Sequence, residues 1–155
     1  MAAAAAVGLL VLCADGARAE TGPFAALSGS WSGNGIIKKA NGGSERIRCR
    51  SVYEPSAANL GLRIRCASDS FNIDINASVA YQGGSVSGHW QEATRNLSGD
   101  ISGRTSGGGS EVQVVASASG VAFNITVTTH GGHQSVSIVP PGVEITEVTV
   151  SMERR

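Results

Sequence analysis

The residues that could do chemistry in this chain are few, and two cysteines are the most informative. Cys49 ends the run Arg46-Ile47-Arg48-Cys49 and Cys66 ends Arg63-Ile64-Arg65-Cys66, one tetrapeptide pattern used twice. Extended chain sends alternate side chains to opposite faces. Both cysteines therefore share a side with Ile47, Ser51, Tyr53, Leu62 and Ile64, and the arginines take the other. Antiparallel pairing of Tyr53 with Leu62 and of Ser51 with Ile64 sets Cys49 against Cys66, a disulfide position inside a hairpin. Two buried free thiols are the alternative.

The opposite face carries Arg46, Arg48, Arg50, Arg63 and Arg65, with Lys38 nearby and Arg50 directly opposite Arg65. Like charges across a rung cost stability, and an anionic glycan, lipid headgroup or acidic protein would offset that cost. Asp74, expected opposite Arg63 on the following strand, neutralises part of the patch. The plainer reading is a solvated face whose arginine stems cover the sheet.

Catalysis requires a nucleophile, acid or base held among partners in a shielded site. The inward face offers Ser51, Thr129 and Gln134, and no mid-strand His, Asp or Lys. No Ser/His/Asp triad or carboxylate pair can be assembled, so the sequence predicts a protein that is not an enzyme and assigns no catalytic residue and no cofactor. All three histidines fall on the outward face. His130 and His133 flank Gly131-Gly132 and face each other across the turn, but two nitrogens fall short of the usual three or four metal ligands. No metal site is assigned, and a haem reading would want an inward axial histidine that the chain does not supply.

The elements that must position these residues are strands. From Leu27 onward the chain is short alternating runs punctuated by Gly pairs, without helical periodicity. The run 30–39 turns at Asn41-Gly42-Gly43 and sets Trp31 against Tyr53, Gly35 against Cys49 and Ile37 against Ile47. A turn at Ser68-Asp69 sets Cys66 against Phe71, Ile64 against Ile73 and Leu62 against Ile75. Gly83-Gly84 sets Tyr81 against Val86 and Ala77 against Trp90. A loop over 92–95 sets Trp90 against Leu97 and Val86 against Ile101. Gly107-Gly108 sets Ile101 against Val114 and Arg104 against Glu111. Ser119-Gly120 sets Ala116 against Phe123, and Gly131-Gly132 sets Val127 against Val136. One inward face survives every turn, and a one-residue slip would reverse it. The register at Pro140-Pro141-Gly142 stays open, with a bulge expected near Glu147 in the last strand.

This is an all-β fold of about ten antiparallel strands in an up-and-down meander, best accommodated by a closed barrel because closure removes both edges. A flattened β-sandwich is the alternative. The aromatic residues Trp31, Tyr53, Phe71, Tyr81, Trp90 and Phe123 all point inward, beside Gly33, Gly35, Gly88, Gly99, Gly103, Ala77 and Ala116. Small residues inside a barrel of this size leave room for a small apolar ligand, unless the glycines instead let the walls coil together.

Residues 1–19 are an alanine-rich apolar run closed by Ala17-Arg18-Ala19, the small-x-small form of a signal-peptidase site, although the run lacks the usual leading Lys or Arg. Residues 20–155 would be one mature domain. The run is too short for a stable membrane span, and Leu12 before Cys13 argues against a lipid anchor. Loss of Cys13 with the leader leaves an even pair of cysteines, as expected for an oxidising compartment. The 12 basic and 12 acidic residues balance, and the leader removes one of each, so general attraction to nucleic acid or an anionic membrane is not expected.

Two resemblances follow. Gly29-Ser30-Trp31 on the first strand resembles the Gly-x-Trp of the calycin superfamily, which includes lipocalins, fatty-acid-binding proteins, avidins and nitrobindin-like barrels. In lipocalins that Trp plugs one end and a basic residue near the chain's end packs on it, and Arg154 is the nearest match. The segments Leu27-Ser-Gly-Ser-Trp-Ser-Gly, Glu45-Arg-Ile-Arg-Cys-Arg, Arg65-Cys-Ala-Ser-Asp-Ser and Gln134-Ser-Val-Ser-Ile are similar to small exported proteins of alphaproteobacteria, rhizobia especially. That similarity implies a periplasmic or secreted location and no particular activity. The expected function is an exported binding protein that holds a small apolar ligand in the barrel. The alternative is a surface-interaction or inhibitor module that meets an anionic envelope component with its arginine face.

Overall fold

The computed structural model describes residues 22–142 and 144–155, so the expected leader, residues 1–19, lies outside them. Ten strands follow one another: β1 Gly29–Lys39, β2 Ser44–Ser56, β3 Asn59–Ala67, β4 Asn72–Gln82, β5 Ser85–Glu92, β6 Leu97–Ser106, β7 Glu111–Ala118, β8 Val121–His130, β9 His133–Val139 and β10 Ile145–Arg154. Each pairs antiparallel with the next, and β10 pairs with β1, so the sheet closes into a barrel without a free edge. Two short 3₁₀ turns, Ala25–Leu27 and Gly107–Gly109, lie at one end. Among the described residues no helix is long and apolar enough to cross a membrane.

The hairpins divide by turn length. Where the turn has two residues, the register is the one that alternation predicts. Cys49 pairs with Cys66, Ala77 with Trp90, Ala116 with Phe123 and Val127 with Val136. Where the loop is longer, the expected register is displaced by two residues. Trp31 faces Ser51 instead of Tyr53, Gly33 rather than Gly35 faces Cys49, and Ile37 faces Glu45. Cys66 faces Ile73, Ile64 faces Ile75, and Leu62 faces Ala77. Trp90 faces Gly99 and Val86 faces Gly103. Ile101 faces Ala116, and Arg104 faces Gln113.

Local hydrogen bonds cause these differences. Lys39 N–H donates to Gly43 O at 2.8 Å, and Gly43 N–H to Asn41 Oδ1 at 2.9 Å, so the first loop spans 39–43. Ser68 N–H donates to Phe71 O at 2.8 Å, and Phe71 N–H to Ser68 Oγ at 3.0 Å, which holds 68–71 as a four-residue loop. A shift of two keeps every side chain on its face. The inward pattern is therefore intact in the eight hairpins from β1–β2 to β8–β9. The irregularity in β10 falls at Thr146, where the pairing with β1 steps from Glu147 to Ile145.

The inward glycines decide one question left open by the sequence. A Cβ on Gly33 would stand 1.8 Å from Ser151 O, and one on Gly99 1.6 Å from Ser117 O. Gly35, Gly88 and Gly103 meet the backbone of a neighbouring strand in the same way. These positions are where one strand coils over the next, as the sharp curvature of a closed barrel demands. The glycines bend the wall and do not hollow it.

Candidate functional site

The two ends of the barrel are built differently. At the end where β1 begins, Phe24 and Leu27 of the first 3₁₀ turn enter beside Trp31, with exposures of 1%, 2% and 1%. The Trp31 indole N–H donates to Leu27 O at 2.8 Å. The Arg154 guanidinium lies 4.5 Å from the centre of the Trp31 ring and donates to Ser28 O and Ala26 O at 2.6 and 2.9 Å. Arg154 thus takes the place on Trp31 that the calycin resemblance implies.

Gly109, at φ +88°, lets the second 3₁₀ turn lie against the first, because a Cβ there would meet Phe24 Cα at 3.0 Å. Below this plug, the Tyr53 hydroxyl donates to Gln134 Oε1 at 3.2 Å and Gln134 Nε2 donates to Thr129 Oγ1 at 3.2 Å. Burial pushes the Tyr53 phenol up, against a smaller downward pull from Ser51 and Gln134. All three inward polar groups expected from the sequence, Ser51, Thr129 and Gln134, are buried here and bonded to neighbours.

The opposite end is less completely covered. The inward side chains Ile64, Ile73, Ile75, Phe123, Ile125 and Ile138 keep contact with solvent. Ile37, Ile47, Trp90 and Ala116 are buried beneath or beside them. At the strand ends of this rim Leu97, Val121 and Val139 are 40%, 41% and 45% exposed. The result is an apolar cup with an apolar lip.

Two carboxylates order the loops of the cup. Glu45 accepts from Ser70 N–H at 2.6 Å and pairs with Lys39 at 2.9 Å. The Ser68 hydroxyl, the Lys39 ammonium and the Ser70 amide together hold its carboxyl at about 2. Glu92 accepts from the amides of Asp74, Thr94 and Arg95 at 3.1, 3.2 and 2.7 Å, and from the Thr94 hydroxyl. Burial raises its pKa, but these donors outweigh burial and hold it at about 2. A carboxylate surrounded by backbone amides strongly favours its charged form.

The structure splits the six aromatic residues expected to line a ligand site. Trp31, Tyr53 and Tyr81 belong to the closed end, with Tyr81 edge-on to Phe24 at 6.4 Å. Trp90 and Phe123 meet edge to face at 6.4 Å nearer the mouth. Phe71 sits in the 68–71 loop, before β4, and packs against the same core. Sequence reasoning missed Phe24 and Leu27. Their signal was an apolar pair three residues apart just ahead of Gly29-Ser30-Trp31.

On the outer wall Arg46, Arg48, Arg50, Arg63 and Arg65 are exposed on one face, with Arg50 opposite Arg65. Asp74 pairs with Arg65 at 3.0 Å and not with Arg63, a correction that follows from the two-residue shift in β3–β4. Arg63 instead donates to Asn76 Oδ1 at 3.0 Å. His130 and His133 face each other across their turn, and His133 lies 3.9 Å from Glu153. Cys49 and Cys66 form a disulfide, their Cα atoms 4.1 Å apart.

No protein-family profile matches the chain, and no curated protein matches it. Solved structures do. The chain is similar to Rv2717c from M. tuberculosis, with a TM-score of 0.69 and 14% identity over 84% of this chain and 93% of that one. It is also similar to the S-type phycobiliprotein lyase CPES from Guillardia theta, with a TM-score of 0.54 and 12% identity over 84% and 88%. Such likeness shows a shared ten-stranded, calycin-like barrel fold. The resemblance to exported alphaproteobacterial proteins has no counterpart among these matches. One expectation needs correcting. The sequence reading excluded an enzyme because no catalytic constellation faces inward, yet this fold is used by a lyase. Fold does not decide function, and the exclusion is withdrawn.

Proposed function

We propose that the protein is an exported barrel that binds a small, largely apolar molecule through its open end. Residues 1–19 would be a cleaved leader and residues 20–155 the mature domain, working in the periplasm or outside the cell. The disulfide supports that location, because such bonds persist in oxidising compartments, and so does the signal-peptidase-like Ala17-Arg18-Ala19.

The observation that carries the reading is the contrast in exposure among inward side chains. Most of those at the closed end, Trp31, Tyr53, Val79, Val86 and Val112 among them, are buried, whereas Ile73, Ile75, Phe123, Ile125 and Ile138 face into the barrel and still meet water. Apolar surface left in a concave site favours an apolar occupant. The inward polar groups are spent on one another at the far end, and Glu92 is spent on its loop. A ligand's polar part is therefore best placed at the lip, which makes an amphiphile with its tail inward the best fit.

Native mass spectrometry of the protein purified from its own compartment, compared with a refolded and delipidated sample, tests this. A discrete added mass lost on delipidation is expected, and so is rebinding of a fatty acid from a C12–C18 series that Ile138→Glu abolishes. A bare protein mass together with no uptake from that series overturns the reading.

A further inference from the structure

The outer wall over β1–β4 carries a concavity made by two adjacent rungs. Ser32, Arg50, Arg65 and Asp74 lie opposite one another across the four strands, and Asn34, Arg48, Ala67 and Asn72 do so on the next rung. With strands about 4.8 Å apart, the strip is about 14 Å across. Short side chains floor it, guanidinium groups rise from it, and its space is about 1050 Å³. Arg155 extends it past β1, with its N–H on Ser30 O at 2.9 Å and its side chain on the Ser32 hydroxyl.

The strip makes two opposite demands on a ligand. Arg50 stands against Arg65 across the rung. Arg65 has the Asp74 carboxylate at 3.0 Å, whereas Arg48 and Arg50 have no ion pair among the described residues. These groups call for an anion. Asp74 spends Oδ2 on Arg65, but its Oδ1 is the one buried side-chain polar atom among the described residues without a hydrogen-bond partner. That atom lies out of a ligand's reach, but the rest of the carboxylate shows at the groove, the Asp74 side chain being 27% exposed, and it calls for a donor, since an ionised carboxylate only accepts. Sulfate presents acceptors alone, phosphate and polyphosphate present mostly acceptors, and all three would meet Asp74 as a like charge. A sugar acid presents both halves. Its carboxylate suits a bidentate guanidinium, and its ring hydroxyls donate.

We propose that this groove binds a carboxylated carbohydrate, with the acid group on Arg48 and Arg50 and a ring hydroxyl donating to the exposed oxygen of the Asp74 carboxylate. Ser32, Asn34, Asn72 and Thr94 border the same space and suit the remaining hydroxyls. The site is separate from the cup inside the barrel, and neither depends on the other.

Isothermal titration with sodium oligogalacturonate tests the proposal, with its methyl ester, heparin, polyphosphate and anionic phospholipid vesicles as controls. Binding to oligogalacturonate is expected to fall with salt, to vanish on esterification and to exceed binding to every control. Arg48→Gln with Arg50→Gln should weaken it about tenfold or more, the loss expected for charge-assisted hydrogen bonds. Both side chains are exposed, so the melting temperature should stay unchanged. Asp74→Asn separates a sugar site from a general anion patch. The Asn carbonyl stays on Arg65 and its NH2 replaces the second carboxylate oxygen, so a sugar site weakens, whereas an anion patch loses a repulsive charge and binds every polyanion more tightly. Tighter binding by Asp74→Asn, equal binding of the controls, or no binding of oligogalacturonate each overturns the proposal.

Discussion

The closed and open ends of this barrel are made by the same ten strands and stabilised by different physics. At the closed end, Trp31, Phe24 and Leu27 are buried under a guanidinium that bonds backbone carbonyls. A neutral phenol, amide and hydroxyl network fills the layer below. At the open end several inward side chains keep solvent contact, and the loops are pinned by Glu45 and Glu92. One end is stabilised by burial. The other leaves apolar surface uncovered and uses charge to keep its rim ordered.

The most severe way to break this contrast is to remove the plug. Trp31→Ala should cost about 3–5 kcal/mol, the range for large aromatic deletions in a packed core, read as a fall in the urea midpoint. Phe123→Ala at the mouth should cost less, because its surroundings are already wet, and should weaken ligand uptake more than stability. Equal stability losses for the two would mean that the ends do not differ in packing. The disulfide lies between them and asks whether they unfold together. Replacing Cys49 and Cys66 by Ala should lower stability by about 3 kcal/mol for a loop of this length, in one cooperative transition by both tryptophan fluorescence and circular dichroism.

Most of the wall was legible in the sequence and much of the rim was not. Alternation fixes the face of every residue, so the inward set and the facing of Cys49 with Cys66 follow from pattern, while closure of the barrel was preferred over a flattened sandwich only because it removes both edges. Register depends on loop length. Two-residue turns such as Gly83-Gly84 announce themselves, but Glu92 closes its loop by reaching forward to the amides of Thr94 and Arg95. Alternation carries no trace of such a bond. The same blindness misassigned the partner of Asp74. The plug was half legible, since Gly29-Ser30-Trp31 and Arg154 pointed to it while Phe24 and Leu27 lie in a turn without period.

A smaller effect sharpens the picture of the plug. Arg154→Gln removes a cation from the face of Trp31 and two charge-assisted hydrogen bonds at an exposed position. Together these are worth about 2 kcal/mol. The loss should appear as a lower urea midpoint and a red-shifted tryptophan emission. Arg154→Lys should recover only part of it, because an ammonium cannot reach two carbonyls as a planar fork while stacking on the ring. Full recovery by lysine would show that charge alone matters there.

The mildest perturbation, acid, should act on one end and spare the other. Glu45 and Glu92 each titrate at about 2 in the folded barrel against an ordinary 4.5. A carboxyl with a depressed folded pKa contributes stability that is fully present above 4.5 and is lost as pH falls through 2. Between those values the folded rim keeps its carboxylates charged while its stability margin shrinks. The amides of Ser70, Thr94 and Arg95, which these carboxylates accept from, should therefore shift in NMR spectra with midpoints near 2. The Trp31 indole proton bonds a backbone carbonyl and should hold its position over the same range. Midpoints near 4.5 for the rim amides would mean that the carboxylates are solvated like any others. The order of the open end would then come from its strands and not from charge.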